Sequence, residues 1–118
     1  PDNMHISVSD GRRILLTPGG AEDLYIPSVN VLFHSIARVY KQSALGIILT
    51  GMGKDGAIGL LEMRRQGAAT IAQNEETSVV YGMPKVASSM GAVMEQMGLA
   101  DMAQLLIALS ERTSKKCP

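Results

Sequence analysis

The alternation of apolar and polar residues along the first forty positions predicts a hairpin followed by an amphipathic helix. Residues 4–8 alternate, residues 9–11 form a polar turn, and residues 12–16 resume an extended run, which is the pattern of a β-hairpin. After a loop that ends at Pro27, Ser28 can cap a helix in which apolar side chains recur with helical spacing. They are Val29, Leu32, Phe33, Ile36, Ala37 and Tyr40.

The rest of the chain alternates strands and helices. An apolar run at 46–49 is typical of a strand buried on both faces, a glycine-rich loop follows it, and a helix begins at Ala57 and stops at Gly67. Residues 68–72 predict a second parallel strand, which completes a βαβ unit. A short helix whose Val86, Ala87 and Met90 pack inward, a strand at 92–97 and a helix begun by Asp101 end the pattern. We predict an α/β fold, part of a three-layer, doubly wound and mostly parallel sheet with a β-hairpin near the N-terminus.

Composition narrows the classes of function. The 118 residues carry 11 basic and 11 acidic side chains and almost no aromatic ones, which argues against a nucleic-acid surface and favours a protein partner. The lone cysteine, Cys117, is predicted to be inert or a free surface thiol, and it favours a reducing compartment. No apolar run is long enough for a membrane span and no signal peptide opens the chain, so we expect a soluble, cytoplasmic protein without membrane insertion.

Asp55 is the notable residue of the glycine-rich loop. It stands just before the helix at Ala57, where its carboxylate would face unpaired N–H groups and gain about 0.3–1 kcal/mol from the helix dipole. In one interpretation Asp55 is only a helix cap. In another, Gly51, Gly53 and Gly56 form a dinucleotide fingerprint, with Glu75 at the ribose, although Asp55 would repel a pyrophosphate.

Two separated motifs carry a family resemblance. Residues 50–57, Thr-Gly-Met-Gly-Lys-Asp-Gly-Ala, are followed by Gln-Asn-Glu at 73–75 and by Ser-Val-Val-Tyr-Gly-Met-Pro at 78–84. From about Pro1 to about Leu106 the chain resembles the catalytic domain of the protein-glutamate methylesterases of bacterial chemotaxis. The resemblance implies that Asp55 is the acid of a serine-histidine-aspartate triad and that the backbone N–H of Met52 helps to bind the oxyanion.

The serine and the histidine of that triad are absent from the sequence. In the family both precede the region that this chain resembles, and His5 and His34 fall elsewhere. His5 is expected to pack or hydrogen-bond at the sheet surface, and His34 to be exposed on its helix. We therefore predict the C-terminal portion of a methylesterase catalytic domain at residues 1–110, a polar tail at 111–118, and no activity for the fragment alone.

The resemblance implies hydrolysis of glutamate methyl esters on chemoreceptors, without cofactor or metal. The expected partners are the cytoplasmic domain of a methylated chemoreceptor and the missing N-terminal half of the catalytic domain, and in many family members a receiver domain precedes it. The alternatives are a non-catalytic protein-interaction domain and the dinucleotide-binding module. Glu75 is either a second carboxylate for acid/base work or part of a solvated rim. An uncovered half sheet is also expected to self-associate.

Overall fold

A computed structural model describes residues 2–116 of the chain, with side chains to residue 112, and Cys117 lies outside the described residues. The predicted hairpin is confirmed, with β1 (Met4–Val8) antiparallel to β2 (Ile14–Pro18). The second strand begins two residues later than predicted, because Arg12 has a positive φ of 61° and the turn closes with a hydrogen bond from Ser9 N to Arg13 O.

Helix α1 (Val29–Tyr40) has the predicted bounds and packs against the hairpin. The Val8 N–H donates to Ser35 Oγ at 2.9 Å, so the end of β1 is tied to the middle of the helix. A short 3-10 turn, Lys41–Ser43, leads from α1 to the sheet.

A parallel three-stranded sheet forms the centre of the fold, in the order β3 (Leu45–Ile48), β4 (Ala69–Gln73), β5 (Glu95–Met97). Helices α2 (Ala57–Arg65) and α3 (Met83–Ser89) pack on one face of this sheet. A Cβ at Gly46 of β3 would lie 2.5 Å from Leu60 Cδ1, so this glycine lets α2 approach the strand closely. The core is built largely from alanine, leucine, isoleucine and methionine: Ala37, Ile48, Ala57, Leu60, Met63, Ala68, Ala72, Ala87 and Ala92.

The opposite face of the sheet carries α4 (Leu99–Lys116). Successive side chains of a strand point to opposite faces, so Ile47 faces away from the side on which Gly46 meets α2. Ile47 lies beside α4 in an apolar cavity of about 320 Å³, which we call the open groove. Its lining residues are Ile47, Leu49, Leu99, Met102, Ala103 and Leu106. The structure thus has helices on both faces of a parallel sheet, which confirms the predicted fold class.

Two predicted details are wrong. Helix α4 begins at Leu99, so Asp101 lies inside its first turn and does not begin the helix. The same helix runs through residue 110 to Lys116, and the division at that point into a domain and a tail stays a prediction. Met90 follows α3 and is 40% exposed, whereas Ala87 is fully buried as predicted.

Candidate active site

Asp55 lies in the loop between β3 and α2, at the carboxyl edge of the parallel sheet, and is 7% exposed. Its carboxylate is held by three consecutive residues of another segment. Oδ1 accepts from Ser28 Oγ at 2.8 Å and from Asn30 N at 3.2 Å, and Oδ2 accepts from Val29 N at 2.7 Å. Asp55 therefore satisfies two first-turn N–H groups of α1, those of Val29 and Asn30.

The prediction that Asp55 caps its own helix is wrong, because Gly56 is the N-cap residue of α2 and has a φ of 95°. Asn30, in the first turn of α1, replaces it: Asn30 Oδ1 accepts from Gly56 N at 3.1 Å and from Gly59 N at 2.8 Å. The N-terminus of α1 is thus capped by a side chain from the loop before α2, and the N-terminus of α2 by a side chain from α1. We call Ser28, Asn30 and Asp55 the helix-start cluster.

Ser28 occupies the predicted N-cap position of α1, but its side chain makes no cap hydrogen bond to its own helix. The hydroxyl donates to Asp55 instead. The helices can exchange caps because they cross closely at Gly59, where a Cβ would lie 2.6 Å from Phe33 Cβ. Asn30 is the residue that sequence reasoning missed, and its only signal was an amide side chain in a helical first turn.

Asp55 is among the residues that line an open cavity of about 400 Å³, although it is buried. Ser28, Lys54, Ile58 and Met90 also line this cavity. A carboxylate has about four acceptor sites, and three of those on Asp55 are in use. The part of the chain that the structure describes leaves one site on Oδ2 unused, so Asp55 has the capacity to accept one further N–H donor.

Met52 lies in the same loop with its side chain 80% exposed. Within residues 2–116, no hydrogen bond uses its backbone N–H. The next residue, Gly53, has a φ of 90°, and a Cβ there would lie 2.9 Å from the Tyr25 hydroxyl oxygen. The glycine is therefore needed both for the turn and for the approach of Tyr25.

The motif at residues 78–84 holds the loop motif at residues 50–57 in place. Thr50 Oγ1 donates to Val80 O at 2.9 Å and accepts from Val80 N at 2.8 Å. Gly51 N donates to Val80 O, and Gly51 O accepts from the N–H groups of Gly82 and Met83. A Cβ at Gly82 would lie 2.7 Å from Gly51 O, so only glycine fits there without moving the backbone. The two motifs occur together because they form one packed unit.

A buried amide anchors the start of this loop. Gln73, at the end of β4, is 1% exposed, and its Oε1 accepts from Thr50 N at 2.8 Å while its Nε2 donates to Thr77 O at 2.8 Å. Glu75 is exposed, which agrees with the solvated-rim interpretation. Within the described residues no hydrogen bond joins Glu75 to Asp55, so the two do not form a carboxylate pair.

His5 is buried and hydrogen-bonded at both ring nitrogens. Nδ1 accepts from Ser28 N at 3.0 Å, and Nε2 lies 2.9 Å from Asp23 Oδ2. The hydrogen bond from His5, together with one from the Gly20 N–H, lowers the pKa of Asp23 below its usual value. The expectation that His5 forms hydrogen bonds is confirmed, as is the exposure of His34 on α1.

Other ligand classes gain no support from the geometry. The Gly56 and Gly59 N–H groups, which a pyrophosphate at the start of α2 would need, already donate to Asn30. In the part of the chain that the structure describes, no group of three histidine, cysteine or acidic residues is placed to hold a metal ion. None of the helices described there is long and apolar enough to cross a membrane.

The fold and the site define a class: an α/β domain that presents an aligned carboxylate beside a cavity at the carboxyl edge of a parallel sheet. Comparison with known proteins narrows the class to a family. A CheB methylesterase family model matches residues 1–106, and the chain belongs to this family.

Relatives in several bacteria support this assignment. The chain is 53% identical over 110 residues to a protein-glutamate methylesterase/protein-glutamine glutaminase of Anaeromyxobacter dehalogenans, covering 92% of this chain and 32% of the relative. A protein of the same description in Agrobacterium fabrum is 45% identical over 118 residues, covering 83% of this chain and 34% of the relative. The chain thus spans about a third of the length of the curated relatives it matches.

A solved structure agrees with the fold. The CheB methylesterase catalytic domain of Thermotoga maritima superposes with a TM-score of 0.81 at 28% sequence identity. The match covers 92% of this chain and 59% of the solved chain. The resemblance that the two loop motifs carry is therefore confirmed at the level of the family.

Proposed function

We propose that this chain supplies Asp55 and the Met52 N–H to a serine-type esterase that hydrolyses glutamate methyl esters on bacterial chemoreceptors. One observation carries the proposal: Asp55 lines a cavity, Ser28, Val29 and Asn30 hold its carboxylate, and the described residues leave one of its acceptor sites unused. Such a group is suited to receive the N–H of an imidazole and fix its tautomer.

The mechanism is acyl transfer. A serine hydroxyl from outside this chain attacks the ester carbonyl while a histidine, also from outside, takes its proton. Asp55 stabilises the resulting imidazolium, and the Met52 N–H donates to the oxyanion. The imidazolium returns the proton to the departing methoxide, which leaves as methanol, and water then attacks the acyl-serine to release glutamate and free serine.

The same steps account for the second activity in the relatives' names. A glutamine side chain differs from a glutamate methyl ester in its leaving group, so an identical acyl-enzyme would form with release of ammonia. We propose that the chain's catalytic groups serve either substrate, because Asp55 and the Met52 N–H act on the base and the carbonyl oxygen and not on the leaving group.

We further propose that the serine, the histidine and a cover for the open groove come from the remainder of a longer protein. Leu49 and Leu106 are both 46% exposed in the groove, and exposed apolar grooves of this kind are usually interfaces. The relatives are about three times as long as the matched segment, so they contain enough additional chain for this purpose.

A chimera tests the proposal. This chain replaces the matching segment of the Anaeromyxobacter dehalogenans relative, and methanol release from methylated chemoreceptors is measured. The chimera is expected to be active and the isolated chain inactive. Asp55→Ala is expected to lower kcat by about four orders of magnitude, because the imidazole loses the group that orients it.

The result also separates the alternatives. A folded chimera that releases no methanol, or one whose activity survives Asp55→Ala, would overturn the proposal. If the Asp55→Ala chimera kept its activity and still bound the receptor in a pull-down, the result would instead favour a non-catalytic interaction domain. Saturable heat on titrating an adenine dinucleotide into the chimera would favour the nucleotide module.

A further inference from the structure

His5 is a buried titratable side chain that the proposed mechanism leaves unused. It is 6% exposed, and its Nδ1 lies 3.0 Å from Ser28 N. A backbone N–H can only donate, so Nδ1 must carry the lone pair and Nε2 the proton that is donated to Asp23 Oδ2. The ring is therefore held as a neutral acceptor for the start of α1.

Asp23 fixes this tautomer from the surface. Its Oδ2 accepts both the His5 Nε2–H at 2.9 Å and the Gly20 N–H at 2.7 Å. Both donors favour the charged carboxylate and lower its pKa, so Asp23 remains an acceptor under ordinary conditions. An exposed carboxylate thus orients the imidazole in the same way that a buried one does in a catalytic triad.

Ser28 connects this pair to the catalytic carboxylate. Its N–H donates to His5, and its hydroxyl donates to Asp55 Oδ1 at 2.8 Å. The other two donors to Asp55 are the next two residues along the chain, Val29 and Asn30. All three donors therefore move together, and the peptide that His5 holds sets where the Asp55 carboxylate lies.

We infer that Ser28 and His5 are positioning residues for Asp55, an inference that rests on the proposed function. They hold the carboxylate so that its remaining acceptor site, on Oδ2, stays available beside the cavity. Without the Ser28 hydroxyl, Oδ1 keeps only the longer of its two hydrogen bonds, the one from Asn30 N at 3.2 Å. Neither residue is assigned to the ester or the oxyanion, so each acts through Asp55.

Paired substitutions in the chimera test the inference. Ser28→Ala and His5→Leu each remove one link and are expected to lower kcat about 10-fold to 100-fold, because small misplacements of a catalytic group have effects of this size. KM for the methylated receptor is expected to stay within about twofold, since a positioning residue acts on the chemical step through Asp55. Ser28→Thr keeps the hydroxyl, and His5→Asn keeps an acceptor near the position of Nδ1, so both should recover most of the activity.

His34→Leu is the matched control, because this histidine is exposed on α1 and, within the described residues, no side-chain hydrogen bond joins it to Ser28, Asn30 or Asp55. An inactive chimera, or one indifferent to Asp55→Ala, would mean that the proposed function is wrong. With Asp55 essential, full kcat in a folded Ser28→Ala variant would overturn the inference. A fall in kcat that Ser28→Thr shares with Ser28→Ala would also overturn it, and this serine pair decides the matter if His5→Leu fails to fold.

Discussion

The helix-start cluster, at the carboxyl edge of the sheet, and the open groove, on the face that carries α4, are opposite kinds of surface. In the cluster, Asp55 and Asn30 satisfy five donors, four of them backbone N–H groups, with side chains from this chain alone. In the groove, the apolar side chains of Leu49, Leu99 and Leu106 remain about half exposed. These five donors find their acceptors within this chain, whereas the apolar side chains of the groove are left partly exposed to solvent.

The largest expected change in stability follows from placing a charge in the open groove. Leu106→Glu in the chimera is expected to lower the free energy of unfolding by about 3–5 kcal/mol, because leucine contacts are lost and a carboxylate is desolvated. In the isolated chain the same change should instead reduce the self-association that light scattering detects, since half of this side chain already faces water.

Ile107→Glu provides the control for this substitution. It lies on the same helix, is 59% exposed and does not line the groove. If Leu106→Glu and Ile107→Glu were equally harmless in urea unfolding of the chimera, the groove would have no cover and the contrast between the two surfaces would be lost.

A smaller loss of stability is expected from a substitution where α1 and α2 cross. Gly59→Ala puts a Cβ 2.6 Å from Phe33 Cβ and 3.1 Å from Asn30 Cα, so the helices must separate. We expect a loss of about 1–3 kcal/mol in the chimera, the usual cost of overpacking. Gly11→Ala, whose Cβ would meet nothing nearer than Ser9 Oγ at 3.8 Å, should be nearly neutral. Equal urea midpoints for the two variants would show that the crossing is not tight.

The smallest expected effect concerns the cap that Asn30 provides. Asn30→Ala leaves the N–H groups of Gly56 and Gly59 without their side-chain acceptor, and we expect a loss of about 0.5–2 kcal/mol. His34→Ala, an exposed position on the same helix, should change stability by no more than about 0.5 kcal/mol. If urea unfolding showed no greater loss of stability for Asn30→Ala than for His34→Ala, water would satisfy the N–H groups at the start of α2 equally well.

The sequence predicted those features that depend on neighbouring residues. The run at 46–49, the glycine loop and the helix after it belong to one local pattern, and the strand and the helix lie within a residue or two of their predicted bounds. The apolar stripe of α1 likewise predicted where this helix begins and ends, because apolar residues recur several times with helical spacing along its 12 residues. The site loop was found because both family motifs are short and continuous.

The details of the site could not be predicted in the same way, because its hydrogen bonds connect distant segments. Asp55 and Val29 are separated by 26 positions, and the local capping rule assigned the carboxylate to the nearer helix. The rule was right that the first-turn N–H groups need acceptors, but tertiary packing decided which side chain provides them. The start of β2 was missed for a different reason: the left-handed conformation of Arg12 has no sequence signal as clear as a glycine.

The exchange of caps couples the starts of α1 and α2. Because the first turn of α1 closes on Asp55 and the first turn of α2 closes on Asn30, neither helix can fray at its start without releasing the other. The amide protons of Val29 and Gly59 are therefore coupled in a single opening event. Under the proposed function, any population in which this corner is loose also lacks an oriented carboxylate, so hydrolysis would cease before the sheet itself unfolds.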